Sequence, residues 1–130
     1  MPKQSLYSDK VAEPFGVFSQ GIEATGKRFL FVSGMTARQR GGGVAGKGDI
    51  RQQTRQALEN LKAVLEAGHA SMDDVVKITV FLTDMAHLMD VHAVRAEYFR
   101  PPYPASTLVQ VASLVSPDML VEIEAIAVTG

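Results

Sequence analysis

Between Asp49 and Gly68 the sequence places Ile50, Thr54, Ala57, Leu58, Leu61, Val64 and Leu65 at the three- and four-residue spacing that puts them on one face of a helix. Asp49 can accept from the free backbone donors of the first turn. Gln52 can reach back in a capping box, and Gly68 supplies the stop. A helix with one apolar face has to bury it, and the flanking segments say against what. Arg28 to Met35, RFLFVSGM, reads as a strand running into a loop. Val75 to Thr83 reads as a second strand, with Val76, Ile78, Val80 and Leu82 on one side and Lys77, Thr79 and Phe81 on the other. The pattern predicts a helix laid on a sheet.

A second helix carries Leu88, Val91, Arg95, Tyr98 and Phe99 on one side and has to end at Pro101 and Pro102, which cannot donate to the preceding turn. Thr107 to Val115 and Met119 to Thr129 read as two more strands. The short Ser116-Pro117-Asp118 connection between them predicts an antiparallel hairpin. A chain of 130 residues supports one core, so residues 1–130 are expected to form a single domain. The order of elements predicts an α+β fold, one mixed sheet with both helices on one face. Phe81 and apolar residues of the last two strands are then left on a bare face, which a symmetric homo-oligomer would cover.

Several function classes are disfavoured by composition. Lys and Arg number 13 against 14 Asp and Glu, a net charge of -1, with no basic excess to engage nucleic acid or an anionic membrane surface. There is no cysteine, hence no disulfide, thiolate nucleophile or cysteine metal site. Met1 to Lys10 is polar without an apolar run, from which a cytoplasmic protein without a signal peptide or membrane span is expected. The glycine-rich stretch from Gln39 to Gly48 approaches phosphate-loop spacing through Gly41, Gly46 and Lys47. Gly48, however, stands where the magnesium-binding hydroxyl is needed, and a glycine-rich connection is the ordinary explanation. His69, His87 and His92 lack the i, i+4 pairing of zinc enzymes, so no metal is expected. On the last strand Glu122 and Glu124 share a face with Leu120, Ile126 and Val128. Partial burial there would suit acid-base work, whereas solvated glutamates on an alternating strand are the commoner case.

Gly16 to Gly21 (GVFSQG), Phe31 to Gly34 (FVSG), Gln56 to Leu61, Asp74 to Phe81 (DVVKITVF), Pro104 to Val111 and Val121 to Val128 together resemble the YjgF/Rid family of reactive-intermediate deaminases, in consistent order over roughly residues 14 to 128. The resemblance implies a chorismate-mutase-like fold, trimeric around a central barrel, with three clefts between subunits. It also implies cofactor-independent hydrolysis of imines or enamines to a carbonyl product and ammonia. Glu122 matches the glutamate that orients the attacking water, and Ser33 and Gly34 are retained. Four other positions depart from the family. Ser106 stands where an arginine clamps the substrate carboxylate, Phe18 replaces a tyrosine, His92 an asparagine and Leu108 a cysteine.

A serine offers one neutral hydrogen bond where a guanidinium offers two charge-assisted ones, so ordinary 2-imino acids are expected to bind poorly. The expectation is a homotrimeric hydrolase with altered substrate preference. Glu122 would activate water, Ser33, Ser106 and His92 would bind substrate, and Phe18 and Leu108 would form an apolar wall. Arg38 or Arg40 of the glycine-rich loop is the substitute cation considered. The alternative is a trimer that binds small ligands or proteins and has lost catalysis. The ribonuclease activity sometimes attributed to such proteins fits poorly with the near-neutral charge.

Overall fold

The computed structural model describes residues 3–130; Met1 and Pro2, the start of the polar amino-terminal stretch, lie outside it. Alternating apolar residues produce a four-stranded sheet from β3 (Arg28–Met35), β4 (Val75–Leu82), β5 (Ala105–Gln110) and β6 (Val121–Thr129), in the order β3-β6-β4-β5. β6 runs antiparallel to both β3 and β4, and β5 runs parallel to β4. Two short strands, β1 (Lys3–Leu6) and β2 (Gly21–Ala24), form a separate antiparallel ribbon. The helices are α1 (Ile50–Ala67) and α2 (Leu88–Tyr98). The architecture is the expected α+β fold with a mixed sheet and two helices.

The core lies between the helices and one face of the sheet. Ala57, Leu58, Leu61 and Leu65 of α1 and Val91 and Val94 of α2 pack with Ile78, Val80, Ile123 and Ala125. Val64, expected on the buried face of α1, is exposed, because it falls at the edge of that stripe. Asp49 caps α1, its carboxylate accepting from the Gln52 amide at 3.1 Å. The reciprocal bond of a capping box does not form, since the Asp49 amide donates instead to Gly46 O at 2.8 Å. Gly46 has a φ of 67°, and a Cβ there would meet the Gln52 side chain, so the turn into α1 depends on glycine. Elsewhere in the glycine-rich loop Gln39 N donates to Gly43 O at 2.7 Å, Gly42 N to Gln39 O at 2.8 Å and Ala45 N to Ala37 O at 3.0 Å, which makes a tight turn.

The expected hairpin is not formed. β5 and β6 are separated by β4, and the segment 111–120 carries the chain from the sheet edge back over β4 to the centre. Two features hold it there. Val111 N donates to Leu82 O at 2.8 Å. The wholly buried Gln53 of α1 also donates to Asp118 O at 2.8 Å and accepts from Leu120 N at 2.9 Å. A turn-forming tripeptide therefore marks a reversal without making its flanking strands neighbours. The other face of the sheet carries Phe29, Phe31, Lys77, Thr79, Phe81, Glu122, Glu124 and Ile126. Phe29 and Phe31 are 61% and 73% exposed, so the barest aromatics of this face are on β3, and the expected Phe81 is only partly exposed.

Candidate functional site

Strand register decides which side chains can meet. Ser106 and Leu108 are opposite Ile78 and Val80 and so project toward the helices, whereas Glu122 is opposite Phe81 and projects to the open face. Within one chain the two sets of expected site residues therefore occupy opposite sides of the sheet.

The first set converges on a cavity of about 250 Å³ lined by Phe15, Phe18, Met85, Leu88, His92, Arg95, Ser106 and Leu108. Its outer wall is the segment before β2, which the Ser19 side chain ties down. Ser19 Oγ donates to Tyr103 O at 2.5 Å and lies 2.8 Å from Ser5 Oγ, while Ser19 N donates to Pro104 O at 3.1 Å. That docking brings Phe18 and the Val17 carbonyl over the start of β5. The Phe15 ring meets Phe18 edge-on at 5.3 Å and His92 at 6.0 Å. Gly16 lies against the His92 ring, where an added Cβ would come within 3.0 Å of Cε1.

The residue that sequence reasoning left out of the site is Arg95. It is completely buried, and its Nη2 donates to Ser106 Oγ at 2.9 Å and to Val17 O at 3.3 Å. Among the described residues its Nε has no partner, and no carboxylate pairs with it. Burial pushes the guanidinium down to about 10, so it remains a cation at neutral pH. Hydrogen bonds to a charged group contribute about 1.5–3 kcal/mol each, and two neutral acceptors do not compensate a desolvated charge as an anion would. His92 is buried beside it, with both ring nitrogens unpartnered among the described residues. Burial first, and the Arg95 charge second, hold its imidazole below the ordinary value, which favours the neutral ring with one donor and one acceptor.

The second set lies around a cavity of about 660 Å³, whose lining includes Gly34, Thr36, Arg38, Arg40, Asn60 and Glu122. The Glu122 carboxylate lies directly over Gly34, and a Cβ on that residue would collide with it. Asn60 of α1 fixes the adjoining loop, donating to Thr36 O and Arg38 O at 2.9 Å each. Arg38 and Arg40 thus stand with Glu122, on the other side of the sheet from Ser106. Ser33 is exposed and lines neither cavity. Among the described residues no group of three or more His, Asp or Glu side chains could hold a metal, and no helix is long and apolar enough to cross a membrane.

The family model described as endoribonuclease L-PSP matches residues 9–129. The chain belongs to the YjgF/Rid family. A RutC family protein of Pyrococcus horikoshii is 44% identical over 125 residues, covering 96% of this chain and 97% of the relative. One from Pyrococcus abyssi is 40% identical over 127 residues, covering 98% of each. Among solved structures, the Rid family protein YyfB of Yersinia pestis, described as of unknown function, superposes with a TM-score of 0.89 at 32% identity and covers 98% of this chain and 99% of its own. RidA from the Antarctic bacterium Psychrobacter gives 0.72 at 32%, covering 96% and 98%. This Rid family chain thus shares its fold with relatives along nearly its whole length.

Proposed function

We propose that this protein is a hydrolytic deaminase of an imine or enamine, working without a cofactor at a cleft between two copies of the chain. The observation that carries the reading is the Glu122 carboxylate set against the bare backbone of Gly34, a place where water can be held beside a substrate carbon. Glu122 takes a proton from that water as its oxygen bonds to the imine carbon. Glu122 returns that proton to the imine nitrogen to give the carbinolamine, then relays the carbinolamine's hydroxyl proton to the amine, so that ammonia leaves as the oxygen closes to a carbonyl. An enamine first tautomerises to the imine. Water and imine are consumed, and ammonia and the carbonyl compound are released.

Support for a shared cleft comes from the division of the site. The Phe18, His92, Ser106 and Leu108 group and the Gly34 and Glu122 group line separate cavities with no residue in common. One substrate can touch both only if a second copy brings its open sheet face to the first copy's cavity, as the cyclic trimer implied by the resemblance would do. The exposed Phe29 and Phe31 give that face apolar area to bury.

The test is ammonia release from imines generated in the assay, 2-imino acids by an amino acid oxidase and neutral imines by an amine oxidase, with semicarbazide trapping as a second readout. Wild-type protein is expected to speed release, and Glu122→Gln to remove the acceleration while leaving the fold intact by circular dichroism. Equal rates with wild type and Glu122→Gln would overturn the reading in favour of a binding module.

A further inference from the structure

The cavity around Ser106 contains a fully buried guanidinium for which the structure provides no counter-ion. Arg95 sits on the inward face of α2, one turn from His92 and Val91, and its hydrogen-bond partners are a serine hydroxyl and a backbone carbonyl, both neutral. Its Nε lacks a partner among the described residues, and both nitrogens of the adjacent His92 lack one too. Around these polar groups Phe15, Phe18, Leu88 and Leu108 are aromatic or aliphatic. Buried charges are normally paired. A cation left unpaired at the wall of a cavity, with apolar surfaces opposite, is the complement of a small anion that carries a hydrocarbon group.

We propose that Arg95 is the anion anchor of this cavity, supplying from α2 the carboxylate recognition that Ser106 cannot, so that the ligand is a small carboxylic acid with an apolar side group. The inference deepens the functional reading above and rests on it only in taking this cavity as the substrate's. Ser106 is the link. Its oxygen accepts from Arg95 Nη2, which leaves the hydroxyl proton to donate to a carboxylate oxygen held against the guanidinium. Neutral His92 then meets the group next to the carboxylate with one donor and one acceptor. The small side chain at position 106 is thus part of the anchor, because a longer one would occupy the space between Arg95 and β5. If Arg95 anchors the acid, 2-imino acids bind despite the serine at position 106.

The experiment is an equilibrium titration of the full-length protein with 4-methyl-2-oxopentanoate and with its neutral primary amide. It is followed by calorimetry and by the Arg95 Nε–H resonance, assigned from its loss in Arg95→Lys. The acid is expected to bind at least about tenfold more tightly than the amide and to move that resonance. Arg95→Gln is expected to abolish the margin, and Arg95→Lys to keep part of it. Equal binding of acid and amide to wild type, an unmoved resonance at saturation, or a full margin in Arg95→Gln would overturn the proposal. Should Arg95→Gln fail to fold, the wild-type comparison and the resonance decide. A 2-oxo acid needs no turnover to bind, so the two readings separate. An acid margin without imine hydrolysis removes the deaminase and keeps the anchor, and hydrolysis of neutral imines without an acid margin does the reverse.

Discussion

Arg95, His92 and Gly34 are the residues on which the proposed chemistry turns, and each answers to a different measurement. A Cβ at position 34 would collide with the Glu122 carboxylate. Gly34→Ala is therefore expected to displace that carboxylate and cut hydrolysis at least about tenfold, with little change in thermal midpoint, because Gly34 borders a cavity open to solvent. Loss of stability without loss of activity would contradict this. His92 bears on pH. Its folded-state value lies below the ordinary 6.5, so the unfolded chain binds the proton more readily. Its contribution is complete above 6.5 and declines as pH falls through that value toward the depressed one. The thermal midpoint is expected to drop between about pH 7.5 and about pH 5.5, and to drop less in His92→Gln; identical slopes would rule His92 out as the source. Sequence placed Arg95 on the inward stripe of α2 but gave no reason to assign it a role. An arginine on a helix edge commonly lays its stem on apolar surface and returns its charge to water. Only the docking of residues 14–19 over β5 closes that exit, and no local pattern carries such a long-range contact.

At the scale of elements, α1 and its attachments are the most open to test. Asp49→Ala removes the first-turn acceptor and should cost about 0.5–2 kcal/mol in denaturant unfolding. Gln53→Ala should cost more than a surface change, about 1–3 kcal/mol, since the Leu120 amide and the Asp118 carbonyl would each lose the side chain that serves them. Equal stability of Gln53→Ala and wild type would mean that water replaces these bonds without loss. Helices and the strands β3 and β4 were legible because their periodicities are local: the bounds of α1 coincide with Asp49 and Gly68, and those of β3 with Arg28 and Met35. Strand pairing was not. Nothing in Ser116-Pro117-Asp118 tells whether β6 pairs with β5 or inserts between β3 and β4. That choice is fixed by which arrangement buries Val121, Ile123, Ala125 and Ala127 under α1, and by the hydrogen bonds of Gln53. The ribbon strand β2 also passed unread, because GIEA is too short to show alternation.

For the whole molecule, the open sheet face and the two separated cavities support the proposal that the catalytic unit is larger than the chain. Phe31→Glu places a charge on a residue that is 73% exposed in the single chain, so the fold should survive it, whereas an assembly that buries this face should not. Light scattering is expected to fall from three chain masses for wild type to one for the variant; a variant that stays trimeric would place the contact elsewhere. The candidate residues around Glu122 and around Ser106 were singled out by the family resemblance, but their separation by the sheet was visible only in the register of β4 with β5 and β6. The most direct test is complementation. Glu122→Gln and Arg95→Gln chains, each expected to be inactive alone toward a 2-imino acid, are unfolded together, refolded as a one-to-one mixture and assayed for ammonia release from that acid. In a cyclic assembly about one cleft in four then joins an intact Glu122 half-site to an intact Arg95 half-site, so about a quarter of wild-type activity should return. A mixture no more active than its two components would show that the halves do not meet across subunits.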